Sequence, residues 1–165
     1  MRYISKERLT RIKHDFKQGN IVGVMQGGSE FGPRSLGYRS ILSPADKLGY
    51  KQRLNTHVKQ RESFRPFSTM ILDSNVNKIT ADSLANPFML SAAQILESQH
   101  PQYPALIHVD GTIRIQVVEE DGGLIHQILT EYERLTGQIA IINTSFNGCN
   151  EPIVETIEQA KASAA

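Results

Sequence analysis

Tryptophan is absent from these 165 residues, and cysteine occurs once, at Cys149. A lone thiol cannot close an intramolecular disulfide and no second thiol completes a zinc pattern, so a reducing compartment fits. Long apolar runs are missing as well. No stretch approaches the ~18 apolar residues of a membrane helix, and Met1-Arg2-Tyr3-Ile4-Ser5 lacks the apolar core of a secretory signal. A soluble cytoplasmic protein with no membrane partner is expected. The five histidines, His14, His57, His100, His108 and His126, show no metal-ligand spacing, so no metal site is expected. Formal net charge is only +1, which argues against a nucleic-acid partner held by overall charge.

With 39% hydrophobic residues the chain can bury a proper core, and its length fits one domain spanning 1–165 better than two. Its charges are unevenly spread. Between Arg34 and Arg65 eight basic residues stand against Asp46 and Glu62, a local charge of +6 balanced by an acidic remainder. Such a segment seeks anions and suits a ligand carrying phosphate, although some of these bases also fit a solvated helix face.

Helical spacing of Leu9, Ile12 and Phe16 behind a Ser5 cap, with Gly19 as the stop, predicts a first helix over about 6–18. Ile21 to Met25 is a short buried strand that delivers the glycine-rich segment 27–33. Ser43 as cap and Pro44 in the first helical position predict a helix carrying Leu48, Leu54 and Val58. Ser68 to Leu72 is a strand, and Asp73 to Asn86 a polar loop or insertion. Further strands are predicted at Phe88–Ala93 and Ala105–Val109, the latter turning at Asp110-Gly111 into Thr112–Val118. Leu124, Ile128, Tyr132 and Leu135 form a helical stripe ending at Gly137. Ile139 to Ile142 is another buried strand, leading to a polar turn at Asn143–Asn147. Thr156 and Gln159 form a capping box for a last helix. Hairpins together with strand-flanking helices imply a mixed sheet, hence an α/β (α+β mixed) fold.

Three segments carry candidate chemistry. Glu30-Phe31-Gly32-Pro33-Arg34-Ser35-Leu36-Gly37 follows a strand, where backbone N–H groups and Arg34 can meet an anion; an ordinary glycine-rich turn fits the same residues. Lys59-Gln60-Arg61-Glu62-Ser63-Phe64-Arg65-Pro66-Phe67 interleaves bases with aromatics. It suits a nucleotide pocket wall or RNA stacking, or equally two core phenylalanines with solvent-facing bases between them. Asn143-Thr144-Ser145-Phe146-Asn147 gathers short polar side chains at a strand end, where sheet-based sites lie, though Asn and Ser also stabilise plain turns.

Taken in order, these segments together with Arg39-Ser40-Ile41-Leu42, Leu54-Asn55, Pro87-Phe88-Met89, His108-Val109-Asp110-Gly111-Thr112 and Glu151-Pro152-Ile153-Val154 resemble the C-terminal domain of the O-carbamoyltransferases of nodulation-factor and antibiotic biosynthesis. The resemblance covers nearly the whole chain. It implies a YrdC-like twisted mixed sheet with flanking helices and a concave basic cleft. It further implies that the domain takes carbamoyl phosphate and ATP, with Mg2+ on the nucleotide, and makes carbamoyl-adenylate. A Kae1-like domain, in cis or in trans, then passes the carbamoyl group to a hydroxyl acceptor. That N-terminal domain is not seen in this sequence, and the last helix stops earlier than in the family, so an excised domain or a natural short form is expected.

On this reading Arg34, Lys59 and Arg65 are the catalytic cations on phosphate, and Lys51 and Arg114 bind substrate or ATP beside them. Asn143, Ser145 and Asn147 position nucleotide or carbamoyl oxygens. Gly28 departs from the family, which usually carries arginine there; Tyr38 stands where asparagine is usual, and Gly148-Cys149-Asn150 replaces a less polar or basic stretch. The alternative function is a non-catalytic module of the same fold that binds nucleotide or RNA or docks on a partner.

Overall fold

The computed structural model describes residues 6–82 and 84–164, without the side chains of residues 6–9 and 13. Ser5, expected to cap the first helix, lies outside the described residues. In chain order the elements are α1 Lys6–Lys17, β1 Val22–Met25, β2 Arg39–Pro44, α2 Leu48–Arg53, a π-helical turn Leu54–Val58, β3 Ser68–Leu72, α3 Val76–Ile79, β4 Ala92–Gln94, β5 Thr112–Val118, α4 Gly123–Thr136, β6 Ala140–Ser145 and α5 Ile157–Ser163. The strands form one mixed sheet in the order β1-β2-β6-β3-β5-β4. Among the described strands β3–β5 is the one parallel neighbouring pair, and the other four pairs are antiparallel.

Apolar alternation places the sheet between two cores. Ile41, Ile71, Ile113, Ile115 and Ile142 face a cluster with Leu54, Phe67 and Tyr103. Their neighbours Leu42, Met70 and Ile141 face the other way, against Phe16 of α1 and Ile125, Ile128 and Tyr132 of α4. Central strands buried on both faces lose the alternation of polar and apolar residues and appear as continuous apolar runs. α4 ends at Gly137, whose φ of 71° gives the left-handed cap, and the Thr156–Gln159 capping box opens α5.

Several expected boundaries are corrected. Ser43 and Pro44 do not start a helix; they close β2, opposite Ile142 and Ile141, and the helix begins at Leu48. Burial of residues 39–44 decides this, and at the last position of the strand the missing proline N–H costs the ladder little. Asp73 to Asn86 is not all loop, since α3 forms there and buries Ile79 completely. The strand expected at Phe88–Ala93 shrinks to Ala92–Gln94, because the Asn86 side chain accepts the N–H groups of Phe88 and Leu90 and bends the backbone locally. Ala105–Val109 is not a strand, although the Asp110-Gly111 turn forms, with Gly111 at φ 79°. β6 runs three residues further than expected, through Asn143, Thr144 and Ser145, because β2 pairs with all three and β3 reaches Asn143.

Candidate anion-binding site

β6 carries polar side chains only at its far end, and two adjoining depressions open there. One, of about 310 Å3, lies between residues 33–35, 65–68, Met89 and Arg114; Arg34, Arg61, Arg65 and Arg114 line it and no carboxylate does. The second, of about 590 Å3, shares Arg61, Arg65, Thr144 and Ser145 with the first and adds Lys59, Glu62 and Asn147. Like charges brought this close repel unless an anion enters, so the arrangement is costly when empty and favourable when a polyanion is bound. Arg34 and Arg114 feel each other: burial and then the nearby Arg34 lower the Arg114 pKa. Among the described residues neither has a hydrogen-bond or ion-pair partner.

Lys59 closes the π turn, its N–H donating to Leu54 O at 2.9 Å. This extra backbone residue turns a buried ammonium toward β6, as π turns at functional sites often do. Nζ donates to Ser145 O (2.7 Å), Asn147 O (2.9 Å), Asn147 Oδ1 (2.8 Å) and Ser145 Oγ (3.3 Å). Ser145 Oγ in turn donates to Asn147 Oδ1 at 2.6 Å. Lys59, Ser145 and Asn147 thus meet, with the ammonium bonded to the other two residues. Burial first, and Arg61 second, push the Lys59 pKa down to about 8.

Asn143 is buried, and its amide donates to Ser35 O (2.8 Å) and Gln116 Oε1 (3.0 Å). Gln116 Nε2 donates to Leu36 O at 2.9 Å, and Ser35 Oγ lies 2.6 Å from Ser40 Oγ. Asn143 therefore sits in the floor of the cavity with its amide committed to Ser35 of the loop that carries Arg34 and to Gln116 of β5.

The segment 59–67 walls both depressions, but its two aromatics are not both core residues. Phe67 is buried but Phe64 is 62% exposed, so burial of two flanking aromatics does not fix Arg65. Arg65 is half-exposed and donates from Nε to Glu62 Oε2 at 3.1 Å. Arg61 is the anchored base: its guanidinium lies 4.6 Å from the centre of the Phe67 ring and donates to Asn55 Oδ1 (2.7 Å) and Pro66 O (3.1 Å). Lys51 lies apart from both depressions, buried, with Nζ donating to Ile107 O at 3.3 Å.

At the end of the glycine-rich loop three N–H groups meet an anion of the chain itself, since Glu30 Oε1 accepts from Leu36 (2.6 Å), Tyr38 (2.8 Å) and Arg39 (3.2 Å). Arg39, also counted in the basic segment, is buried and donates to Gln26 O, Tyr38 O and Gly27 O. Sequence reasoning passed over Gln116 as a link beneath the cavity. Its one signal is a polar residue inside the apolar alternation of β5.

The fold is the YrdC-like one, a mixed α/β sheet with flanking helices. It is similar to full-length HypF in its phosphate- and nucleotide-bound form (TM-score 0.63, 16% identity, 98% of this chain and 20% of that one) and to HypF of T. kodakarensis (TM-score 0.61, 16% identity, 95% of this chain and 19% of that one). Residues 14–165 match the family described as carbamoyltransferase C-terminus, and the chain belongs to that family. It is 38% identical over 146 residues to nodulation protein NolNO of Sinorhizobium fredii, covering 86% of this chain and 22% of the relative. To nodulation protein NolO of Bradyrhizobium diazoefficiens it is 36% identical over 146 residues, covering 86% and 27%. The chain thus spans about a quarter of the length of these relatives. Among the described residues no helix is long and apolar enough to cross a membrane.

Proposed function

We propose that this domain binds carbamoyl phosphate and ATP across the two depressions and joins them as carbamoyl-adenylate, the activating half-reaction of an O-carbamoyltransferase. The observation that carries the proposal is the convergence of Arg34, Arg61, Arg65 and Arg114 on one cavity without a carboxylate. Two polyanions repel each other, and several guanidinium groups offset that repulsion and stabilise charge on the phosphoryl oxygens during transfer.

Carbamoyl phosphate and water give carbamate and inorganic phosphate. A carbamate oxygen then attacks the α-phosphorus of ATP, and the bond to pyrophosphate breaks. Carbamate decomposes readily, so positioning and exclusion of water matter more than a protein nucleophile; no serine or cysteine is assigned covalent attack. Among the described residues no three carboxylate, histidine or cysteine side chains gather to hold a metal, so Mg2+ would enter on the nucleotide phosphates. Lys59, Ser145 and Asn147 hold the end of β6 as one wall. The product then passes to a Kae1-like domain, in cis or in trans, for transfer to a hydroxyl. Carbamoyl phosphate and ATP as substrates fit a cytoplasmic location.

Calorimetry with ATP, with carbamoyl phosphate and with both, coupled to a pyrophosphate assay, tests the proposal. Binding of each ligand and pyrophosphate release only with both is the expected result. Absence of binding, or RNA binding with a steep salt dependence and no nucleotide affinity, overturns it.

A further inference from the structure

Arg34 reaches the cavity from the tip of a segment flanked by two glycines in conformations that L-residues rarely adopt, Gly32 at φ 142° and Gly37 at φ 110°. Backbone that glycine frees in this way has many alternatives of similar energy. Nothing holds the Arg34 side chain, which is exposed and has no partner among the described residues. Its position over the cavity is set by the backbone of the loop alone.

One carboxylate gathers three N–H groups of that backbone. Glu30 Oε1 accepts three N–H groups from Leu36, Tyr38 and Arg39, closing the segment 30–39 into a ring. Carboxylate acceptors make such bonds short and strong; Ser40 Oγ, accepting from Gly37 N at 3.0 Å, and Gln26 Nε2, donating to Gly37 O at 2.8 Å, hold one residue of the same turn. Below the ring, Leu36 O and Ser35 O are tied through Gln116 and Asn143 to β5 and β6. Glu30 itself lines neither depression, so it does not face the bound anion.

We infer that Glu30 is a positioning residue, which acts through the loop backbone to hold the Arg34 guanidinium over the arginine-lined cavity. The inference rests on the phosphate-binding reading above, and it adds a carboxylate that strengthens anion binding from outside the cavity.

The test compares Glu30→Gln, which keeps the shape but removes the charge, and Glu30→Asp, which is one methylene short, with Arg34→Ala and the double variants. Inorganic phosphate and ATP affinities are measured by calorimetry, and trypsin cleavage after Arg34 is followed on the free chain. Both Glu30 variants are expected to cut at Arg34 faster and to lose about tenfold in affinity, the scale of one charge-assisted bond. In the Arg34→Ala background the Glu30 substitutions should cost nothing further, because the side chain they position is gone. Affinity losses that simply add in the double variant overturn the inference, and so does an unchanged cleavage rate at Arg34. Should the unaltered chain bind neither phosphate nor ATP, the proposed function falls, and cleavage at Arg34 alone decides whether Glu30 holds the loop.

Discussion

Lys59 and Asn147 are joined twice, with the ammonium donating to both the backbone and the side-chain oxygen of the asparagine, at 2.9 Å and 2.8 Å. An ammonium removed from water is disfavoured, and burial therefore pushes the Lys59 pKa down to about 8 from the 10.5 of a free lysine. Between those values the unfolded chain binds more protons than the folded one, so stability rises with pH across that window. Below it both states are protonated and the burial penalty is present in full.

Lys59→Met removes this pH dependence together with the bonds to β6. At pH 7 it is expected to cost about 1–3 kcal/mol through unsatisfied carbonyls. The gap to the unaltered protein should widen as pH rises from 8 to 10 in urea unfolding. A bound anion should return the proton, seen near pH 8 as proton uptake in buffers of different ionisation enthalpy.

Arg61 and Arg65, four positions apart in sequence, should behave oppositely. Arg61→Ala abandons the Phe67 stack and two hydrogen bonds, so it should lower stability by about 1–3 kcal/mol. Arg65→Ala loses only an exposed contact with Glu62, and its melting temperature should stay unchanged. Its phosphate affinity should fall by about 1.5–3 kcal/mol, as for a lost charge-assisted contact. Melting curves and calorimetry on the two variants separate anchor from ligand.

Asn143→Ala strands Ser35 O and Gln116 Oε1 beneath the cavity. A loss of about 1–3 kcal/mol of stability is expected, larger than any change in ATP affinity that remains after correcting for unfolded protein.

Gly37 and Gly28 provide a contrast in the same loop. A Cβ on Gly37 would lie 2.6 Å from Ile125 Cγ1 and adopt a φ of 110°, so Gly37→Ala should cost more than about 2 kcal/mol from strain and overpacking. A Cβ on Gly28 meets nothing within 4 Å, so Gly28→Arg should change stability by less than about 0.5 kcal/mol. Thermal unfolding checks both.

Much of this architecture was legible because each element carries its own signal. The alternation of β5, the stripe of α4 with Gly137 behind it and the Thr156–Gln159 box are local, and they formed as expected. Elements set by distant partners were not legible. Polar Asn143 and Ser145 looked like a turn because sequence shows neither β2 nor β3 beside them. Ser43-Pro44 looked like a helix start because burial of β2 is a property of its neighbours. In the site, Lys59, Ser145 and Asn147 came together, as did Arg34, Arg65 and Arg114. Lys51 did not join them, and the anchoring role fell to Arg61 through Asn55 and Phe67, contacts that residue spacing does not encode.

β6 is the last strand in the chain, yet it lies between β2 and β3. During synthesis the earlier strands therefore emerge as two separate groups, β1 with β2 and β3 with β5 and β4, each with an unpaired inner edge. Such edges invite wrong pairing until they are covered. Residues 140–145 close the gap and in the same step bring Ser145 and Asn143 to their places, so the wall of the site and the completed sheet should appear together, late in folding.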